Sequence, residues 1–153
     1  MTNLCAKIVE RLQGRTLVTA ESITGGGIGA AITSISGSSA IYKGGVICYT
    51  DWVKNQVLGV NEKLLEEVGA VSAAVAKQMA HGARRVLAAD IAVSVTGLAG
   101  PKGDDFGNSI GTVFIGFADA RRTEAREYHF SGTRADIRNQ AIQAALELIL
   151  ENS

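Results

Sequence analysis

Two hydrophobic periodicities alternate along this chain, and that alternation restricts the fold more than any other feature. Short runs of strand character, Thr16–Ala20, Val46–Tyr49 and Ile91–Val95, are separated by stretches in which apolar residues recur every three or four positions. Leu4, Ile8, Val9 and Leu12 mark a first helix that stops at Gly14. Thr24 is placed to cap a second, with Ile28, Ile32 and Ile35 on one face, and Asp51 to cap a third that carries Lys54. Asn61 to Val68 reads as a short helix ended by Gly69, and Ser72 opens a longer one striped by Val75, Met79, Ala83 and Val86. The segments Thr112–Ala118 and Glu124–Phe130 look like an antiparallel pair. A final helix starts at the capping-box-like Thr133 and Asp136 and turns Ile137, Ala141, Ala144 and Leu148 to the core. Strands interleaved with helices predict a three-layer α/β/α sandwich with a mixed sheet. The continuous apolar run Val46–Tyr49 predicts a strand covered on both faces. With 153 residues and no linker or repeat, residues 1–153 are expected to form a single domain.

Composition removes several function classes. A formal net charge of zero gives no global field toward nucleic acid or anionic lipid, so neither is an expected partner. No apolar run approaches the ~20 residues of a membrane span, and the first ten residues lack the basic-then-apolar order of a signal peptide. Two cysteines, Cys5 and Cys48, form no metal-type cluster, and two histidines leave little for a histidine-based triad or metal site. A cytoplasmic location is the expectation. For assembly, a homo-oligomer is expected, with a dimer favoured.

Three regions carry candidate chemistry. The glycine-rich stretch Thr24–Ala30 fits G-x-G-x-x-A at Gly25, Gly27 and Ala30, with Asp51 about twenty residues on, as in a dinucleotide fingerprint. The alternative is a helix start whose backbone N–H groups take a phosphate or pyridine end, or close helix–sheet packing by Gly27 and Gly29. Glu21 reads either as an acid behind the site or as a cap of the following turn. The loop Thr96-Gly-Leu-Ala-Gly-Pro101 follows a strand, where α/β sheets bind ligands; its plainer reading is a turn built from Gly and Pro. Arg134 and Arg138 share a helix face, either as solvated surface or as a phosphate clamp. Between the first two regions lie Ser39, Tyr49 and Lys54. Ser39 suits a helix N-cap, with Ser38 beside it, and Tyr49 suits a core aromatic. A serine hydrolase without histidine needs a neutral lysine, which here means a fall in pKa from ~10.4 to roughly 7–8 by burial.

The order of blocks resembles the CinA C-terminal domain family, whose stand-alone members are nicotinamide-nucleotide amidases. The resemblance rests on Ala20-Glu-Ser-x-Thr-Gly-Gly26, Gly37-Ser-Ser39, Tyr49, Lys54 and Leu58-Gly-Val60. It continues through Gly69-Ala-Val-Ser72, Gly97-x-Ala-Gly-Pro101, Gly111-Thr-Val113 and Phe130-Ser-Gly132 with Arg134. It implies hydrolysis of the carboxamide of nicotinamide mononucleotide to nicotinate mononucleotide and ammonia, without cofactor or metal. It also implies Ser39 as nucleophile, Lys54 as base and Tyr49 as the hydroxyl between them. Substrate contacts are expected from Glu21, Ser22, Thr24, Gly25 and Gly26, from Thr96, Gly97, Ala99 and Gly100, and from Arg134. Three departures from the family pattern stand out: Ile23 for its usual Cys, Asp104 in its glycine pair, and Asn108-Ser109 for its Lys-Pro. Two other readings are a non-catalytic pyridine-nucleotide-binding module and a Rossmann-type oxidoreductase.

Overall fold

The computed structural model describes residues 1–153 and has the layered α/β architecture that the periodicities predict. Five strands, β1 (Leu17–Glu21), β2 (Tyr42–Ile47), β3 (Ile91–Gly97), β4 (Thr112–Ala118) and β5 (Thr123–His129), form one mixed sheet in the order β2-β1-β3-β4-β5. β1 pairs in parallel with β2 and with β3, whereas β4 runs antiparallel to both β3 and β5. The expected antiparallel pair is therefore β4 with β5.

Strand side chains alternate between two cores because successive residues point to opposite faces. Leu17, Ile91, Val93, Val95, Val113, Ile115 and Phe117 face a core shared with α1 (Thr2–Arg11), α2 (Gly27–Thr33) and α6 (Arg134–Glu151). Val18, Ala20, Ala92 and Ala118 face the other core, under α3 (Asp51–Leu58), α4 (Glu62–Val68) and α5 (Ala73–Val86). Small residues on this second face bring α5 close. A Cβ on Gly116 of β4 would overlap the Ala76 carbonyl of α5 and the Ser94 hydroxyl of β3. On α6, the expected core residues Ile137, Ala141, Ala144 and Leu148 are all buried.

The caps follow short-range chemistry, with two differences. Asn61, Ser72 and Thr133 accept from the backbone N–H three residues on, and Thr133 with Asp136 completes a capping box. Thr50, rather than Asp51, caps α3 by accepting from the Val53 N–H, and Asp51 sits in the first turn. Thr24 does not cap α2: Gly26 holds the cap position in a left-handed conformation, and the Thr24 hydroxyl donates to Glu21 instead. The second strand also differs. It starts at Tyr42 and ends at Ile47, and its burial alternates instead of being complete. As the sheet's edge strand it is half covered, which leaves Ile47 and Tyr49 exposed.

Candidate active site

In a sheet of this order the chain leaves β1 to β2 on one side and reaches β3 on the other. A crevice therefore opens beyond the carboxyl ends of β1 and β3. Parallel register sets Glu21 level with both Ile47 and Val95, so the residues that follow all three strands converge there. They line a cavity of about 350 Å³, together with Ala70 and Val71 from the segment before α5 and with Arg134 of α6. That is the size range of a small-molecule site.

Lys54 lies at the base of this cavity and is only 2 % exposed. α3 starts just beyond β2 and projects Lys54 back under the strand ends. Its Nζ lies 2.8 Å from the Cys48 carbonyl, 3.5 Å from the Tyr49 carbonyl and 3.0 Å from Ser22 Oγ. No carboxylate pairs with it. Burial lowers its pKa from the ordinary lysine value, against smaller opposing effects of the Cys48 thiol and the Asp51 carboxylate. The Cys48 thiol is itself pushed up to about 11 by burial, so at neutral pH it is an uncharged neighbour. A neutral amine has two N–H donors and one lone pair. Two of its three neighbours are carbonyls, which can only accept, and the third is a hydroxyl, which can donate. An ammonium would donate to all three neighbours; after losing a proton the amine keeps a donor for each carbonyl and its lone pair faces the Ser22 hydroxyl.

Ser22, not Ser39, is therefore the hydroxyl that meets Lys54. Ser22 follows β1 directly and is buried; its N–H donates to the Val95 carbonyl, and its carbonyl accepts from the Gly25 N–H. Ser39 is exposed in a 3₁₀ turn, Ser38–Ala40, that precedes β2. The six residues of β2, roughly 20 Å of strand, separate it from the end that carries Lys54. Within one chain the expected Ser39–Lys54 contact is absent. Tyr49 does not bridge them either: its hydroxyl accepts from Arg134, whose other terminal nitrogen donates to the Gly100 carbonyl at 2.6 Å.

Of the other expected contacts, Ser22, Thr96, Gly97, Ala99, Gly100 and Arg134 line the cavity, whereas Glu21, Thr24, Gly25 and Gly26 do not. Glu21 is buried, and its carboxylate accepts from the hydroxyls of Thr19 and Thr24 and from the N–H groups of Ile28 and Gly29. Those are the second and third N–H groups of α2, the first (Gly27) going to the Thr24 carbonyl, so the chain's own side chain fills the place that a phosphate was expected to take. A pyrophosphate there would have to displace the Glu21 side chain from those N–H groups, which counts against the Rossmann reading. Lys102 and Asp51 complete the cavity wall and were not among the expected contacts. The departures Asp104 and Asn108 join each other: the Asn108 amide donates to the Asp104 carboxylate and to the Val71 carbonyl, tying the loop to the cavity wall.

Comparison with known proteins agrees with this architecture. The sequence profile of the CinA C-terminal domain matches residues 1–153. The chain belongs to that family. Relatives include a CinA-like protein of Endomicrobium trichonymphae, 46 % identical over 135 residues, and a putative competence-damage inducible protein of Bacillus velezensis, 43 % identical over 141 residues. These alignments cover 88 % and 92 % of this chain but 32 % and 34 % of the relatives, so the chain spans about a third of their length. The crystal structure of the competence/damage inducible protein CihA from Agrobacterium tumefaciens superposes with a TM-score of 0.95 at 36 % identity, covering 99 % of this chain and 95 % of that one. Competence damage-inducible protein A from Klebsiella pneumoniae gives the same TM-score at 34 % identity, covering 98 % of this chain and 94 % of that one. No helix of the chain is long and apolar enough to cross a membrane.

Proposed function

We propose that this chain hydrolyses the carboxamide of nicotinamide mononucleotide, with Ser22 as nucleophile and Lys54 as general base. The observation that carries this reading is the 3.0 Å contact between Ser22 Oγ and a buried, unpaired lysine at the base of a cavity. In the first step Ser22 Oγ attacks the amide carbon while Lys54 Nζ takes the hydroxyl proton. The tetrahedral intermediate collapses, the C–N bond breaks, and Lys54 returns the proton to the departing ammonia. Water, deprotonated by the same amine, then attacks the ester carbonyl. Nicotinate mononucleotide leaves and Ser22 is restored.

The substrate comes from the family resemblance, and the cavity chemistry is consistent with it. Lys102 and Arg134 offer two cations to a phosphate, opposed by the single acid Asp51. The exposed Tyr49 ring lies at the same mouth, available to a flat aromatic ring. Arg134→Ala should therefore raise KM for the nucleotide while leaving turnover of uncharged nicotinamide, whatever its level, little changed.

Ammonia release from nicotinamide mononucleotide by the purified chain tests the reading. Turnover should fall by about a thousandfold or more in Ser22→Ala and in Lys54→Met. Binding of the nucleotide without ammonia release would make the chain a binding module. Undiminished release by Ser22→Ala would remove Ser22 from the mechanism.

A further inference from the structure

We infer that Arg138 is a positioning residue for the nucleophile, acting on the turn that carries Ser22 rather than on the substrate. This inference rests on the amidase reading of the Ser22–Lys54 pair. Arg138 stands one helical turn after Arg134 on the same face of α6, yet the two arginines do different things. Arg134 lines the cavity, whereas Arg138 does not. Its guanidinium instead gathers two consecutive carbonyls of the Ser22 turn: Nε donates to Ile23 O at 3.1 Å and a terminal nitrogen to Thr24 O at 3.3 Å. Gly25, with φ near +59°, leaves room for this approach, since a Cβ there would already touch the guanidinium.

The turn is held from a second side by Glu21, which accepts from the Thr24 hydroxyl. Between these two braces, the N–H groups of Ile23 and Thr24 donate to nothing in the chain. An unspent N–H on a buried residue is uncommon in a folded protein. Both residues are buried, and Ile23 lines the cavity. The Ile23 N–H belongs to the residue after the proposed nucleophile, where an acyl-transfer enzyme places a donor for the developing oxyanion. Peptide planarity links the parts. Fixing the Ile23 carbonyl on Arg138 fixes the Thr24 N–H in the opposite direction, away from α6. Without the guanidinium, the Ile23 carbonyl loses its donor and the Thr24 carbonyl keeps only the Gly27 N–H, so the Thr24 N–H loses the tie that orients it. The Ile23 N–H, in the peptide whose Ser22 carbonyl accepts from Gly25, then shifts only as the turn around it relaxes.

The test compares Arg138→Ala, Arg138→Lys and Arg134→Ala with the unmodified chain, measuring ammonia release and thermal unfolding. Arg138→Ala should lower kcat by roughly tenfold to a hundredfold, with KM changed less than about twofold. Added guanidinium ion at millimolar concentration should recover part of the loss. Arg138→Lys, which keeps a donor but not the fork, should fall between Ala and the unmodified chain, and it replaces the Ala variant if that one does not fold. Arg134→Ala should show the converse pattern, with KM raised. An Arg138→Ala kcat within twofold of the unmodified chain overturns the inference. So does a loss that neither guanidinium nor lysine relieves, or one carried by KM. If the unmodified chain turns over and Ser22→Ala does not, any of these results counts against Arg138 alone. No turnover by the unmodified chain overturns the amidase reading and this inference together.

Discussion

Replacing Lys54 with methionine keeps an unbranched side chain one atom shorter and removes its titration, so the pH dependence of the difference isolates the consequence of burying that amine. At low pH the unmodified chain carries a buried ammonium that is better solvated when unfolded. Its folded-state pKa is lowered by desolvation, whereas the unfolded lysine titrates near 10.5. Between those two values the unfolded chain holds one more proton than the folded one, and stability therefore rises with pH. The rise is about 1.4 kcal/mol per pH unit for a single proton. The penalty is complete below the folded-state pKa and gone above 10.5. The methionine variant lacks this contribution, and because both proteins carry Cys48, the alkaline ionisation of that thiol largely cancels in the comparison. The constant offset between the two is less informative. Loss of the amine leaves the Cys48 carbonyl without a donor, at a cost of about 1–3 kcal/mol, against relief from desolvation. Urea unfolding of both proteins at half-unit steps from pH 7 to 10.5 measures the difference directly. Its stability advantage should start to grow for the unmodified chain at one pH and then increase by about 1.4 kcal/mol per unit. The same pH should mark the acidic limb of kcat/KM. A difference that stays flat across the whole range means that Lys54 remains charged, and the general-base argument then fails.

Cys48 contributes with the opposite sign. Burial raises its pKa from 9.0 to about 11, so stability present below pH 9 is lost as pH rises to 11, by about 3 kcal/mol. Cys48→Ala should remove that alkaline loss, which denaturant titrations at pH 8.5 and 11 would reveal. Ser39→Ala should retain ammonia release within about twofold, because the side chain is exposed at the far end of β2; a large loss would return Ser39 to the site. Gly116→Ala should destabilise the fold by about 2 kcal/mol or more, since the new methyl overlaps the Ala76 backbone of α5, and a change below 0.5 kcal/mol by thermal unfolding would mean that α5 sits farther from the sheet.

What the sequence discloses about this site follows the range of the forces involved. Caps at Asn61, Ser72 and Thr133 act over three residues and are readable from local text. The alternation of strands and helices sets the layers, and it also marks Lys54 as a helix residue close to a strand end. The pairing of that lysine is a tertiary fact. Ser39 is nearer to it in sequence, but Ser22 is nearer in space, because parallel pairing brings the ends of β1 and β2 level while Ser39 precedes β2. One signal in the sequence does point to Ser22: it directly follows an apolar strand, and in α/β sheets the carboxyl ends of strands carry the ligand site. Glu21 is ambiguous in the sequence for a similar reason. It caps α2 from seven and eight residues upstream, beyond any local capping pattern, and only the turn Ser22–Gly25 brings it back. β2 reads poorly because Gly44 and Gly45 interrupt its apolar pattern, and an edge strand needs only one covered face.

The proposed reaction passes through a covalent bond between Ser22 Oγ and the carboxamide carbon of the substrate, formed with Lys54 as base. Rapid acid quench of the enzyme with nicotinamide mononucleotide, followed by peptide fragmentation mass spectrometry, looks for that ester. The nicotinate mononucleotide acyl mass should be found on Ser22, appearing with the first equivalent of ammonia and absent from Lys54→Met. An acyl mass on Ser39 or any other residue, or the same ester formed at full rate without Lys54, would contradict it.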